Sequence, residues 1–227
     1  MELPRSVPVM TLRSTTLFPQ ALLPLYIFEP RYRRMLADSL RAERMFSVAM
    51  QEPGRQRETP CKVAGLGLIR VSVDHTDGTS HLILQGLTRV EIVGTVQLKP
   101  YRIAAIRPLV TPPDDCVHID ALVAKVHQLV EERAALAPFP PPFSGVKGPL
   151  GDKTKEKGGP AYSPEDVVKY LESIDSPDQL SDLVSCALLA DPHHRQTILE
   201  TVGIEARLRH LVKFLLEDIR QLQEGAE

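Results

Sequence analysis

The residue types that could do chemistry are few and scattered. Cys116, His118 and Asp120 alternate, and on a strand they would present three ligand-forming side chains on one face. The pattern around them is that of a helix start, where residues two apart diverge. Zinc would also need a fourth ligand or an open position, and no second Cys/His cluster has ligand spacing. His193 and His194 are adjacent and point to different sides of a helix. Gly151-Asp152-Lys153-Thr154 resembles a phosphate-binding loop only superficially, because the first glycine would fall at Val146 and no strand or helix flanks it closely. There is no Gly-x-Ser-x-Gly elbow, and Cys61, Cys116 and Cys186 sit in no catalytic signature. Asp114-Asp115 read as solvated carboxylates ahead of a helix N-terminus, where negative charge is favourable. Neither a catalytic set, a metal nor a cofactor is expected.

Two further groups have a defined geometry. Asp77-Gly78 predicts a type I′ hairpin, which would set Asp74 opposite His81 as an acid–base couple or a surface charge pair. Arg31, Tyr32, Arg33 and Arg34 could combine stacking with phosphate contacts on a nucleic acid. The simpler reading is a solvated helix face, with Arg31 and Glu29 in local salt bridges.

The elements that position these groups begin with 17–36, LFPQALLPLYIFEPRYRRML. Pro19 and Pro24 rule out a regular helix or a central strand. An extended run is expected, with Leu22, Leu23, Leu25, Ile27 and Phe28 against a core. Pro30 suits the first turn of a helix that carries Met35, Leu36 and Leu40 on one side. Short strands are predicted at 7–12, 45–50, 64–75, 82–84, 89–96 and 101–109. Gly65 and Gly67 should bend one of them, and Gly86 should break another. This many short strands with tight turns argues for a small barrel.

After the Pro-rich connector at 108–115 the pattern becomes helical. Ile119, Leu122, Val123, Val126, Leu129 and Val130 recur at helical spacing. Residues 137–160, rich in Pro, Gly and Lys, are expected to form a flexible loop. Ser163-Pro164, Ser176-Pro177 and Asp191-Pro192 each predict a capped helix start, with Asp166 and Gln179 at capping-box spacing from the two serines. The last helix should bury Ile204, Leu208, Leu211, Leu215 and Leu222, widened by Val212, Leu216 and Ile219. The expected division is a β unit over 1–113 and a helical bundle over 114–227.

The chain has 227 residues, 43% of them hydrophobic and 25% charged, an ordinary balance for a globular protein. A net charge of -2 supplies no general attraction for nucleic acid or anionic membrane. No signal-peptide core or membrane-length apolar run is evident, and three widely spaced cysteines suit reduced thiols in a cytoplasm.

Several stretches carry a family resemblance. They are FP followed by an apolar run and IFEPRYR, then GLGLIRV, then a DG hairpin leading into LILQGLTRVEIV. Leu84, Gly86, Arg89 and Ile92 form an (L/I)xGxxRxxI pattern, and RQTILE and ARLRHL follow in the helical half. Together they resemble the N-terminal, substrate-binding domain of Lon proteases, in the form of stand-alone bacterial proteins that lack the ATPase and protease domains. The resemblance implies an α+β fold, a PUA-like β pseudo-barrel with a short helix followed by an α-helical bundle. It implies a non-enzymatic protein that binds unfolded or damaged polypeptide, with a protease or chaperone as a further partner and no membrane. Leu22, Leu23, Tyr26 and Phe28 are the candidate polypeptide-binding surface. An RNA-binding module using Arg31, Tyr32, Arg33 and Arg34 is the alternative, as is a regulatory partner of a protease or chaperone.

Overall fold

The structure, a computed structural model, describes residues 3–55, 58–112, 117–136, 168–171 and 173–224. Expectations for Asp114, Asp115, Cys116, the 137–160 segment and the Ser163 cap fall outside these residues. The chain divides into two compact units, Met1–Val110 and Thr111–Glu227.

In the first unit, strand β1 (Ser6–Leu12) and strand β3 (Met45–Met50) pair in parallel. Parallel pairing needs a crossover. It is made by strand β2 (Leu22–Ile27) and helix α1 (Pro30–Arg41). Every position of β3 is buried. Phe46 and Val48 enter one apolar cluster with Leu25, Ile27, Tyr32, Met35 and Leu84. Met45 and Ala49 enter another with Val7, Val9, Leu66 and Val90. The strand is thus sandwiched between two cores, which is why it reads as a continuous apolar run. Each fully buried Leu, Ile or Phe contributes about 1.5–3 kcal/mol relative to exposure.

Strand β4 (Val63–Asp74), strand β5 (Ser80–Gln97) and strand β6 (Arg102–Pro108) complete a sheet of order β2-β5-β4-β3-β1-β6, closed by a further β5–β6 pairing. The ring therefore runs through five strands, with β2 joined to the first part of β5. Gly86 does not break β5. Its N–H donates to the Ala21 carbonyl at 2.9 Å, and its own carbonyl accepts from the Gln20 N–H at 2.8 Å. A Cβ on Gly86 would lie 1.9 Å from the Phe18 carbonyl oxygen, and one on Gly65 2.0 Å from that of Leu17. The two glycines form the slots through which the 17–18 backbone crosses the sheet. As expected, β4 bends, with register shifts at Leu66/Gly67 and Ile69/Val71.

The hairpin differs from the type I′ expectation. Only Gly78 has positive φ, at 77°. Asp77 Oδ1 instead accepts from the Thr79 N–H at 2.9 Å, and the Gly78 N–H donates to the His75 carbonyl at 3.0 Å. The loop gains a residue and the register slips by one. Asp74 pairs with Ser80, whose hydroxyl donates to it at 2.7 Å, and His81 pairs with Val73.

In the second unit, helix α2 (Val117–Leu136) packs along helix α5 (Ile204–Glu224), with helix α3 (Pro177–Leu188) and helix α4 (Pro192–Glu200) against α5. Ser176 and Asp191 cap α3 and α4 as expected, accepting from Gln179 N–H at 3.5 Å and His193 N–H at 2.7 Å. Ile204, Leu208, Leu211, Leu215 and Ile219 are buried, Leu222 is half-buried, and Leu216 is exposed. Arg207 is wholly buried in this unit. Its guanidinium donates to Asp178 Oδ1 at 2.7 Å and to the carbonyls of Val202 and Thr201 at 2.7 and 2.9 Å. Asp182 lies 3.7 Å away.

Candidate functional site

Strand β2 alternates, and both of its faces are apolar. Leu25 and Ile27 turn inward to the core, and Leu23 packs against the same cluster. Leu22, Tyr26 and the following Phe28 turn outward. Leu22 and Phe28 are each 56% exposed, so the expectation that they lie against the core does not hold. Leu23 does not join the other three candidates, because period-2 alternation sends it to the opposite face.

Cross-strand pairing extends this outer face. Pro24 sits opposite Ile83 and Tyr26 opposite His81 on β5, and those residues sit opposite Val71 and Val73 on β4. Ile83, Val71 and Val73 are all exposed. A contiguous apolar surface therefore runs across three strands, from Phe28 and Leu22 to Val71 and Val73. Single exposed apolar residues are ordinary, whereas a contiguous group marks an interaction surface. Tyr26 stacks on Phe28 with ring centroids 5.8 Å apart and lies tilted against the His81 ring at 4.7 Å. These ring contacts link Phe28, Tyr26 and His81 along the outer face.

At the hairpin end, His75 Nε2 lies 2.5 Å from His81 Nδ1. His81 Nε2 is buried without a hydrogen-bond partner. Burial, then the neighbouring His75, holds the His81 pKa below its ordinary value. The charged form of this imidazole, at the edge of the face, is thereby disfavoured.

The arginine set does not form one surface. Arg31 bonds Glu29 at 2.8 Å and forks onto both oxygens of Glu58, which holds the Glu58 carboxyl below the usual range. Its guanidinium lies 4.4 Å over the Tyr32 ring. Tyr32 is buried, with its hydroxyl 3.2 Å from the Thr11 backbone. Arg33 reaches over Gly78, and Arg34 pairs with Asp38 at 3.0 Å. Four consecutive helical residues point in different directions, and Tyr32 is the one that points inward.

Among the described residues, no group of three or more His, Cys, Asp or Glu side chains could hold a metal. His118 and Asp120 are exposed on α2. His194 stacks on Phe214, with centroids 3.9 Å apart. No described helix is long and apolar enough to cross a membrane.

Val71, Val73 and Ile83 were not singled out from the sequence. The alternation of VSV at 71–73 identifies two faces. The slip in the hairpin decides which of those faces meets β2.

Comparison with known proteins places the fold. Lon protease of Dictyoglomus thermophilum is 23% identical over 225 residues, covering 98% of this chain and 26% of that protein. Lon protease of Trichlorobacter lovleyi is 25% identical over 218 residues, covering 94% and 24%. The chain thus spans about a quarter of the length of the curated relatives it matches. Among solved structures, the N-terminal domain of Mycobacterium avium complex Lon protease superposes with a TM-score of 0.67 at 17% identity, covering 93% of this chain and 98% of that one. A Lon N-terminal domain protein from Xanthomonas campestris gives 0.60 at 16% identity, covering 92% and 98%. The shared fold is the α+β pseudo-barrel and helices described above. Residues 6–217 match the ATP-dependent protease La (LON) substrate-binding domain, and the chain belongs to that family.

Proposed function

We propose that this protein binds unfolded or damaged polypeptide without catalysing its cleavage, in the cytoplasm, through the outer face of β2, β5 and β4. The observation that carries the reading is the contiguous apolar surface of exposed Leu22, Phe28, Ile83, Val71 and Val73 around half-buried Tyr26. Family membership supports it, since the matched region is a substrate-binding domain. An unfolded chain displays apolar side chains that a native protein hides, and a flat apolar strand face accepts them without demanding one sequence. A protease or chaperone is the partner class that would take such a chain onward.

The test is fluorescence anisotropy of the purified protein with a labelled, permanently unfolded polypeptide and, in parallel, a labelled single-stranded RNA. Both are titrated at low and physiological salt. Saturable polypeptide binding that survives physiological salt is the expected result. RNA binding that collapses with salt, with no polypeptide binding, would move the function to the arginine helix.

A further inference from the structure

Helix α5 carries a second stripe that the described helices leave open. Arg209, Val212, Lys213, Leu216, Glu217 and Arg220 follow the 3–4 spacing of one helix face over about 16 Å. Together with Leu122 of α2 they line a groove of about 450 Å³. Its floor is apolar. Val212 and Leu122 are half-buried, and Leu216 is exposed in a position where the sequence pattern would have it packed.

The rim is basic. Arg209, Lys213 and Arg220 face a single carboxylate of the lining, Glu217. Arg209 shares its charge with Glu205 at 2.5 Å, and Lys213 with Glu217 at 3.8 Å, but both remain largely exposed. Arg220 is exposed and has no ion pair among the described residues.

We propose that this groove docks an acidic amphipathic helix of a partner protein. Two adjacent helices with a row of side chains at 3–4 spacing receive a third helix by ridge-into-groove packing. The occupant's apolar residues at i, i+3 or i+4 fill the space over Leu122, Val212 and Leu216. Its flanking Asp and Glu side chains meet Arg209, Lys213 and Arg220. Charge selects this occupant over a second copy of the chain, because two such faces brought together would set basic rim against basic rim. The groove lies on the helical unit and does not draw on the strand face of the polypeptide-binding reading.

The test uses the full chain and two labelled helical peptides with the same leucine face, one flanked by Glu and one by Lys. The acidic peptide should bind saturably, and more weakly as salt rises. Lys213→Glu with Arg220→Glu should weaken it about tenfold or more and reverse the preference towards the basic peptide. Leu216→Asp should also abolish binding while the thermal melt stays unchanged, since Leu216 is on the surface. Equal binding of both peptides, or binding indifferent to the charge reversal, would overturn the proposal. So would failure of the acidic peptide to bind, or a concentration-dependent dimer that Leu216→Asp dissolves.

Discussion

The carbonyl oxygen of Phe18 occupies the place where a side chain on Gly86 would begin, with only 1.9 Å between that oxygen and an ideal Cβ. The contact is between two backbones, so no rotamer change can relieve it. Gly86→Ala must push the 17–21 segment off β5, disturbing the bonds from Gln20 and to Ala21. The expected cost is about 3 kcal/mol or more, the upper range for overpacking. A lowered urea midpoint measures it, and an unchanged midpoint would mean that the segment crosses the sheet elsewhere.

Arg207 joins α5 to α3 inside the helical unit. Removing it leaves Asp182, whose side chain is 4% exposed, without that guanidinium. Breaking a buried pair from one side costs about 3–5 kcal/mol. The lower end is expected, because Asp178 is 43% exposed. Arg207→Met should show this loss in a thermal melt. Arg207→Lys should recover only part, since a single ammonium cannot reproduce the fork to Asp178, Val202 and Thr201.

How much of this was legible from residue types can be judged element by element. The run at 45–50, the helix start at Pro30 and the caps at Ser176 and Asp191 were legible because each rests on local chemistry. The Asp77-Gly78 turn was misread because Asp77 bonds Thr79 and keeps negative φ, a choice between two turns that the dipeptide alone does not make. Gly86 looked like a strand break because the backbone it accommodates, at Phe18, lies 68 residues earlier in the sequence. Arg207 was not singled out from the sequence, since the periodicity of the Leu208 and Leu211 stripe cannot foresee the carboxylates of α3. On β2 both faces are apolar, so composition could nominate Leu22 and Phe28 but could not separate them from Leu23.

Acid sensitivity should include the Arg31–Glu58 contact. Glu58 is depressed chiefly by its bonds to Arg31. A carboxyl with a lowered folded pKa adds stability above its unfolded value and loses it as pH falls through the folded one. That share should be present at neutral pH and fade below about pH 4.5. Arg31→Ala should flatten this part of the stability–pH curve while leaving its neutral slope alone.

His81 acts in the same direction, with its loss setting in from a higher pH. Its folded pKa lies below the ordinary 6.5, first through burial and then through His75. Protonation is therefore easier in the unfolded chain, and the hairpin should lose stability as pH falls below about 6.5. In an NMR titration the His81 midpoint should lie below that value. His75→Gln should raise it only partway, because burial is the larger cause.

The central claim is that polypeptide binds the outer strand face. Its most direct test is the affinity of a permanently unfolded polypeptide for Leu22→Ser with Phe28→Ser, compared with the parent chain. Both side chains are 56% exposed, so the double variant should melt as the parent does. Loss of two exposed anchors predicts affinity reduced by about tenfold or more. The control Leu216→Asp on α5 should bind polypeptide as the parent does. Undiminished binding by the folded double variant would contradict the account and place the polypeptide elsewhere on the molecule.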